Sequence, residues 1–444
     1  MKYLPTIPLL LLLLGTGSVS AQKRWTLHEC TQYAIEHNIE IKQQALNVEN
    51  SEIELHTARN RRLPDLSAGA NQSFNFGRSP SMATGIYEPN TSSGTGFSLS
   101  SSVPVYNGMR ISNEVKNNEF NLHAAVEGLN KAKENLSLNV ASYYLEVLFK
   151  KEILKVVHEQ CALTTQQVER TAMMAEEGKV PLSQVYDIKA QLAKEESNRT
   201  NAHNQLSLSL LNLAQLLNIN DLTNFDVLEP ENIETVNITQ IQNPDLVYEA
   251  ALLQKPLMKE AAYRLRSSEL AVRMAKSYAL PTISLGISYS NGFNHLFGTN
   301  MINTPISSQI ANNGREAIGL NINIPIFSRF QTRNQVRAAR LNMEARTLDL
   351  DNAKIGLHKE IQQAYLSAVA AQAQYASAEK ALEASLEAFK YAEERYRLQM
   401  ISAYEYSEAQ TKLFSSRSEQ VQAKYDFLFR SKILDFYRGV EIEL

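Results

Sequence analysis

Long apolar runs are missing from this sequence beyond its first residues. No later stretch reaches the about 18 uninterrupted apolar residues that a membrane-spanning helix needs, so a membrane-inserted form of the chain would enter the bilayer as strands. Cysteine is also scarce: Cys30 and Cys161 are the only two, which excludes a disulfide framework. The formal net charge of −3 argues against a nucleic-acid partner.

Signatures of catalysis and of cofactor binding are absent from the sequence as well. The eight His residues are scattered, and none forms a pair at metal-ligand spacing beside Cys or Asp. There is no glycine-rich phosphate loop and no nucleophile elbow. We therefore expect no cofactor, no metal site and no enzymatic activity.

The first 21 residues have the composition of a secretory signal peptide. Met1 and Lys2 supply the charge, residues 9–14 are the apolar centre, and residues 19–21 form a small-residue cleavage site. The apolar centre is too short to span a bilayer as a helix, although a membrane anchor is the alternative. Because no Cys follows it directly, a lipoprotein anchor is not indicated. We expect an exported mature chain that begins near Gln22.

Four segments alternate large apolar residues with small polar ones, which predicts strands with one apolar and one polar face. They are residues 66–76, 97–105, 282–290 and 317–326. Polar, glycine-rich segments separate the two members of each pair and are predicted as loops at 77–95 and 291–314. We expect the apolar residues of the second pair of strands, 282–290 and 317–326, to face lipid. Its members are Ile283, Leu285, Ile287, Ile318, Leu320, Ile322 and Ile324.

Helical periodicity covers most of the remaining sequence. The predicted helices are 26–62, 109–175, 182–217, 244–280, 330–398 and 403–438. In the second of the two long helices, apolar residues from Ile361 to Tyr396 alternate spacings of three and four, which indicates a coiled-coil seam. At ~1.5 Å per residue each long helix would extend about 100 Å.

The same order of elements occurs twice at a nearly constant offset. Pro64 corresponds to Pro281, 217 residues later, and Asp187 corresponds to Glu408, 221 residues later. An internal repeat of this length predicts one elongated body made of two halves. The predicted organisation is a signal peptide at 1–21, a first structural repeat at 22–218, an irregular acidic linker at 219–243 and a second structural repeat at 244–444.

The strand count itself predicts an oligomer if the strands face lipid. Four strands cannot close a barrel, and an open sheet edge in lipid leaves N–H and C=O groups without partners. Two copies would give eight strands around an interior filled by side chains, whereas three would give twelve strands around a water-filled lumen. Because the polar parity is nearly all Ser, Gly, Asn and Thr, we expect a hydrated interior and a homotrimer.

This doubled layout resembles the TolC-type outer-membrane efflux proteins, or outer-membrane factors, over the whole mature chain. The resemblance implies an α+β membrane protein with a trimeric twelve-stranded β-barrel, four strands per chain, continued by a long periplasmic α-helical coiled-coil barrel. Residues 219–243 would then be an equatorial linker. The implied localisation is the outer membrane, with an extension into the periplasm.

The implied function is that of a passive outer-membrane exit duct in a tripartite efflux pump or a type I secretion system. Its implied partners are a periplasmic adaptor, an inner-membrane transporter and outer-membrane lipid, and the sequence does not determine the substrate. The residues themselves also allow a soluble periplasmic coiled-coil scaffold, with the strands in a small internal sandwich.

The resemblance further indicates constriction residues near the two helix reversals. Glu405 and Glu408 correspond to two acidic residues that ring the closed entrance in relatives, and Tyr396 corresponds to a tyrosine of the closing network. An acid pair that only stabilises its own helix N-terminus is the alternative. The remaining candidates are the first-half residues Ser183, Gln184 and Asp187. Gln184 replaces an acid of the family's network, and Ile401 a basic residue, so the closing bonds must differ.

The two reversal segments match those that dock the adaptor in relatives, and the alternative is that they only turn the chain. They comprise Gly178, Lys179, Val180 and Pro181 in the first half and Gln399, Met400, Ile401 and Ser402 in the second.

A basic belt crowds the predicted helix ends next to the strands. Its members are Arg59, Arg61, Arg62, Arg110, Lys276, Arg329, Arg333 and Arg337. Arg329 and Arg333 lie at a helix N-terminus, where the helix dipole disfavours a cation. We hypothesise that the belt contacts anionic headgroups of the inner leaflet. Charge reversal at Arg329 and Arg333 should then impair membrane assembly, whereas a normal yield of trimer would refute the hypothesis.

Overall fold

The computed structural model describes residues 24–80, 85–89, 91–220, 225–230, 241, 243–297, 302–440 and 442, and the predicted signal peptide lies outside them. The chain divides into two compact units. The reversal unit comprises Met1–Ile39, Glu134–Pro244 and Gln362–Leu444. The sheet unit comprises Glu40–Lys133 and Asp245–Ile361. Among the described helices, none combines the length and the apolar composition that crossing a membrane requires.

Helices of matching length follow one another in the two halves of the chain. The first half contains α1 (Leu27–His37), α2 (Ile39–Asn60), α3 (Arg110–Glu176) and α4 (Leu182–Leu216). The second half contains α5 (Pro244–Gln254), α6 (Pro256–Ser277), the short α7 (Ile306–Asn312), α8 (Gln331–Arg397) and α9 (Ala403–Tyr437). Apart from α7, the lengths are 11, 22, 67 and 35 residues in both halves.

The predictions of single helices at 26–62 and 244–280 were wrong, because each segment is two helices. The backbone is extended at Asn38 (φ −62°, ψ 133°) and at Lys255 (φ −66°, ψ 128°). Pro256 explains the second break, because the ring of a proline disfavours helical backbone angles in the preceding residue. Asn38 lies at the matching position of the first half, where its side-chain amide donates to the Leu216 carbonyl at 3.3 Å.

Four strands form one antiparallel sheet in the order β2–β5–β7–β8. These strands are β2 (Ser67–Asn75), β5 (Thr91–Tyr106), β7 (Thr282–Phe297) and β8 (Arg315–Asn323). A second small pair consists of β3 (Arg78–Pro80) and β4 (Tyr87–Pro89). A third, parallel pair joins β1 (Arg24–Trp25) to β6 (Asp226–Val227), which lies within the predicted linker.

The two predicted loops are partly strand, and this corrects the sequence reading. Thr91 to Gly96 of β5 pairs with Phe297 to Gly292 of β7, so each strand is 16 residues long. These two segments are rich in Ser, Gly and Asn and do not alternate between apolar and polar residues, so the sequence gives no strand signal there. They form strands because they pair with each other. At the other end, β8 stops at Asn323 instead of residue 326, because Pro325 has no N–H to donate to a ladder.

Left-handed backbone occurs at equivalent positions of the two halves, each pair 221 residues apart. The pairs are Gly108 and Arg329, Met109 and Phe330, Gly178 and Gln399, and Asn218 and Gly439. The first two pairs precede the long helices, and the others follow helix C-termini. At Gly108 a side chain is also excluded sterically, because a Cβ would lie 2.8 Å from Leu280 Cβ and 3.0 Å from the Ser277 carbonyl oxygen.

The predicted seam of α8 packs as expected. None of its members from Ile361 to Tyr396 is exposed, and Ile361 and Ala368 are fully buried. Cys30 and Cys161 are both buried, and neither forms a disulfide in the described residues. The seam therefore contributes to the core of the helical layers, as its three-and-four spacing predicts.

Side chains of α3 hold residues 226–228 of the linker in the reversal unit through hydrogen bonds and an ion pair. The Tyr144 hydroxyl, on α3, contacts the Leu228 carbonyl oxygen at 2.6 Å and the Trp25 carbonyl oxygen at 3.1 Å. The Lys151 ammonium donates to the Val227 carbonyl at 2.8 Å and pairs with Asp226 at 2.5 Å. Burial raises the pKa of the Tyr144 hydroxyl, so it stays protonated and can donate.

Candidate functional site

One face of the four-stranded sheet carries the apolar residues that alternate with polar ones along its strands. Leu285 on β7 lies opposite Val103 on β5 and Leu320 on β8. Ile287 lies opposite Ile318 in the same way. Directly paired residues point to the same face, so the register aligns the apolar rows that the sequence alternation predicts.

The other face is built from small polar residues and glycine. Ser284 pairs with Asn321, and Gly286 pairs with Gly319. On the apolar face of a single chain, Ile318 is 76% exposed and Leu320 is 60% exposed. Ile287 and Ile322 are also exposed, whereas Ile283 and Leu285 are half-buried. Ile324 was predicted within the last strand but lies beyond the end of β8.

The sheet has two unpaired edges. In the described part of the chain β2 pairs only with β5, and β8 pairs only with β7. Each edge strand is nine residues long and presents a row of backbone N–H and C=O groups. Such an edge is unstable in lipid unless another strand pairs with it.

Both helix reversals use the same backbone hydrogen bonds. After α3 the Gly178 N–H donates to the Ala175 carbonyl at 3.0 Å and the Lys179 N–H to the Met174 carbonyl at 2.9 Å. After α8 the Gln399 N–H donates to Tyr396 at 3.0 Å and the Met400 N–H to Arg395 at 2.8 Å. This is a Schellman cap with a left-handed residue at its turn.

Most of the predicted docking residues are exposed. Gly178, Lys179, Pro181, Gln399, Met400 and Ser402 are exposed, and Val180 and Ile401 are half-buried. Ile401 packs against a buried cluster formed by Phe389, Tyr406 and Leu413. The turn segments thus leave polar and apolar side chains available on their surface.

Glu405 has a local role at the start of α9. The Ser402 N–H donates to the Glu405 carboxylate at 2.9 Å, and the Glu405 N–H donates to the Ser402 hydroxyl at 3.2 Å, which is a capping box. These hydrogen bonds from Ser402 lower the pKa of the Glu405 carboxyl below its ordinary value. The reading of this acid as a helix-capping group therefore has a structural basis.

The other predicted constriction residues are not joined by side-chain contacts. Glu408, Asp187 and Ser183 are exposed, and the carboxylates of Glu408 and Asp187 make no hydrogen bond or ion pair within the described residues. Gln184 is half-buried, and its N–H donates to the Pro181 carbonyl at 3.1 Å. One chain does not bring the first-half and second-half candidates together.

Tyr406 is a partner of Tyr396 that the sequence reading missed. The two rings stack with centroids 4.7 Å apart and planes at 25°, and Phe389 lies 5.5 Å from Tyr406. Burial, reinforced by Glu393 and Tyr396, raises the pKa of Tyr406 to about 12. Tyr406 lies on α9 seven residues before Leu413, which is also buried. That coiled-coil spacing was the signal that could have identified it.

Buried polar groups between the helices of the reversal unit were also missed. The Gln410 amide on α9 donates to the Thr164 hydroxyl on α3 at 3.0 Å. Gln167 Nε2, Thr171 Oγ1 and Glu195 Oε2 are buried without a hydrogen-bond partner in the described residues. An unsatisfied buried polar group costs about 1–3 kcal/mol, so these helix contacts are weaker than apolar packing would be.

The basic belt is partly paired and partly gathered in a groove. Arg61 pairs with Glu114, and Arg110 lies 5.1 Å from the ring centroid of Tyr278. A groove of about 1100 Å³ is lined by Lys276 on α6, by Phe330 just before α8, and by Arg333, Arg337 and Arg340 on α8. In the part of the chain that the structure describes, no cluster of three or more His, Cys, Asp or Glu is placed to hold a metal ion.

The family model for "Outer membrane efflux protein" matches residues 31–218 and 247–439. The chain therefore belongs to the outer membrane efflux protein family, and the resemblance seen in the sequence is confirmed.

Individual relatives agree with this assignment. The chain is 21% identical to outer membrane protein TolC of Escherichia coli (strain K12) over 435 residues, which cover 95% of this chain and 84% of TolC. A crystal structure of CusC superposes with a TM-score of 0.78 at 17% identity, covering 93% of this chain and 92% of CusC. The Campylobacter jejuni CmeC channel superposes with a TM-score of 0.74 at 19% identity, covering 94% and 86%.

Family membership gives the general function and the location. The chain is an outer-membrane efflux channel that extends into the periplasm. The family and the structural neighbours are channel proteins. The alternative of a soluble periplasmic scaffold is inconsistent with this location.

Proposed function

We propose that three copies of this chain form a passive exit duct, in which the four strands of each copy pool into a twelve-stranded barrel. The observation that supports this proposal is the sheet: its edge strands β2 and β8 have no second partner in the described residues, and β7 and β8 align their apolar residues on one face. Joining β8 of one copy to β2 of the next satisfies both edges. The pairing would be antiparallel, like the three pairings within the chain.

Three copies fit the polar face better than two. An eight-stranded barrel is filled by its own interior side chains, whereas larger barrels enclose water. The polar face carries Gly286, Gly319 and small polar residues such as Ser284, which would leave an eight-stranded interior poorly packed. Twelve strands would turn the same residues into the wall of a hydrated lumen.

The helices supply the rest of the proposed duct. We infer two structural repeats, 22–218 and 244–444, joined by the linker 219–243 and forming a periplasmic α-helical coiled-coil barrel. The recurrence of helix lengths of 11, 22, 67 and 35 residues supports the repeat. So does the recurrence of left-handed residues 221 positions apart.

The proposed duct works as the outer component of a tripartite efflux pump or a type I secretion system. It would receive substrate from an inner-membrane transporter through a periplasmic adaptor, and the transporter would supply the energy. The exposed turns at 178–181 and 399–402 are the proposed docking segments for the adaptor. Met400 is 64% exposed and offers a flexible apolar contact to such a partner.

For the constriction, we assign the ion-filtering role to Glu408 and Asp187 ahead of Glu405. The first two are exposed carboxylates without a partner among the described residues, whereas Glu405 is engaged in the cap of α9. Three copies would bring six such carboxylates to one entrance, and rings of acidic side chains favour cations. Tyr396, stacked on Tyr406, would pack behind this ring.

Conductance of the purified protein in planar lipid bilayers tests the duct and its filter together. We expect ion-conducting pores that prefer cations, and a preference that falls in a Glu408→Gln and Asp187→Asn double variant. Ser183→Ala is the matched control, because it changes a neighbouring exposed position without changing charge. Protein that leaves the membrane without detergent, or that never conducts, would refute the duct. Unchanged selectivity in the double variant would refute only the filter.

A further inference from the structure

A groove on the reversal unit lies between α3 and α4 and is lined mainly by basic and imidazole side chains. Its volume is about 630 Å³, which falls within the usual range of small-molecule sites, about 300–1,000 Å³. It contains neither the turn segments nor the constriction residues. The charged and imidazole residues that line it are Lys151, Lys155, His158, Arg199, His203 and Glu229.

Two hydrogen bonds between the helices lie at the two ends of this groove. At one end the Gln160 amide on α3 donates to the Glu195 carboxylate on α4 at 3.2 Å. At the other end the Lys150 ammonium donates to the Gln205 side-chain oxygen at 3.2 Å. The two bonds are ten residues apart on each helix, about 15 Å along the axis, so both belong to one antiparallel register. The groove between them is therefore preformed.

Each helix turns one face toward the groove. On α3, Lys151, Lys155 and His158 follow one another at spacings of four and three residues. On α4, Arg199 and His203 are four residues apart. Residues three or four apart lie on the same side of a helix, and an imidazole carries at least one N–H donor in either tautomer. The two faces therefore bring several hydrogen-bond donors to one place.

Two of the three cations in the groove already have an acidic partner. The Lys151 ammonium pairs with Asp226 at 2.5 Å, and the Lys155 ammonium pairs with Glu229 at 2.7 Å. The third cation, Arg199, is half-buried, and its guanidinium makes no hydrogen bond or ion pair with the described residues. About one positive charge is therefore left for a ligand, which suits a monoanion.

The rest of the lining indicates what kind of monoanion fits. Leu154 and Leu206 also line the groove and are half-buried, so part of its wall is apolar. A guanidinium presents its N–H groups as a planar fork that matches a carboxylate. The side chains of His158 and His203 have no hydrogen-bond partner among the described residues either. The groove thus combines one unpaired guanidinium, two free imidazoles and an apolar wall.

We propose that this groove binds a small organic carboxylate with a compact apolar body. Arg199 holds the carboxylate through two parallel hydrogen bonds, and His158 and His203 donate to it from either side. Leu154 and Leu206 contact the apolar body. Because the ligand contacts both helices, its binding stabilises their pairing. The site lies within one chain, so this inference does not rest on the proposed trimer or on the duct.

Isothermal titration of the detergent-extracted protein with para-tert-butylbenzoate tests the site. The neutral amide of the same shape, para-tert-butylbenzamide, should bind at least about tenfold more weakly, because hydrogen bonds to a charged group are about twice as strong as neutral ones. Arg199→Gln should weaken binding of the benzoate by at least about tenfold for the same reason. Lys194→Gln is the matched control, since it removes one charge from an exposed α4 residue outside the groove, and it should bind as the parent does.

Thermal unfolding gives a second readout in the same samples. Saturating benzoate should raise the melting temperature of the parent and of Lys194→Gln, and should leave that of Arg199→Gln unchanged. The parent failing to bind the benzoate, or Arg199→Gln binding it as tightly as the parent, would overturn the proposal. Either result leaves the duct untouched, since conductance is measured separately.

Inorganic phosphate distinguishes an organic ligand from a simple anion. Phosphate makes no use of the apolar wall, so it should bind at least about tenfold more weakly than the benzoate. Leu206→Ser should weaken binding of the benzoate by at least about threefold, because it removes apolar contact, and should not change binding of phosphate. Equal affinities for the two anions, or no effect of Leu206→Ser, would overturn the assignment to an organic carboxylate.

Discussion

The two faces of β8 give the sharpest single prediction, because the same substitution should destabilise the protein at one residue and have little effect at its neighbour. Leu320 belongs to the apolar face and lies opposite Leu285, whereas Asn321 belongs to the polar face and lies opposite Ser284. In the proposed barrel Leu320→Arg puts a guanidinium against lipid near the middle of the strand. The cost is about 2–4 kcal/mol per chain at the bilayer midplane, and three chains would sum to about 6–12 kcal/mol per barrel.

A loss of that size is measurable in two ways. Per chain it corresponds to about 30-fold to nearly 1000-fold in the folding equilibrium, so Leu320→Arg should deplete trimers that resist detergent without boiling. The urea midpoint of the protein in phospholipid vesicles should fall as well. Asn321→Arg is the matched control and should change stability by no more than about 0.5 kcal/mol. Equal losses in the two variants, or the reverse order, would refute the assignment of the faces.

Three further predictions concern the reversal unit. Gln399→Gly should stabilise the protein by about 1 kcal/mol, because Gln399 occupies left-handed backbone (φ 62°) that glycine adopts without the side-chain penalty. Gly178→Ala should destabilise it by a similar amount through the same backbone penalty alone, since a Cβ there meets nothing within 4 Å. Thermal unfolding measures both changes, and shifts of the same sign in the two variants would contradict this reasoning. The hydrogen bonds from Ser402 lower the pKa of Glu405, so their contribution to stability is present above the ordinary carboxyl pKa and is lost as the pH falls through the lowered pKa. The difference in melting temperature between the parent and Glu405→Gln should therefore shrink from pH 7 to pH 3, and a constant difference would refute the capping role. Tyr144→Phe should lower the free energy of unfolding by about 1–2 kcal/mol, because it removes the hydroxyl that contacts two backbone carbonyls near the linker. An unchanged unfolding midpoint would show that these hydrogen bonds are unimportant.

The periodicity of apolar residues allowed the helices and the two faces of the strands to be predicted from the sequence. The long seam from Ile361 to Tyr396 repeats at three and four, a signal that persists for ten turns and that tertiary contacts reinforce. The reversals at 178–181 and 399–402 were predicted from local residues, such as Gly and Pro, that end helices. The parity of Leu320 and Asn321 follows directly from the two-residue period of a strand.

Features that depend on a distant partner were not accessible in this way. The strand extensions at 91–96 and 291–297 hold each other in place, and neither has an apolar alternation of its own. The hydrogen bond from Gln410 to Thr164 joins residues 246 positions apart. The break before Pro256 carried a local signal that was overlooked, and comparison of the two halves would then have predicted the break at Asn38.

Native mass spectrometry of the detergent-extracted protein tests the central claim most directly, because the account requires strands from three chains to close one barrel. We predict a complex of three identical chains that carries bound phospholipid and dissociates to single chains only after the barrel unfolds. A complex of two chains would contradict the account, since eight strands leave no hydrated lumen. A stable single chain in the outer-membrane fraction would contradict it as well, because β2 and β8 would then face lipid unpaired.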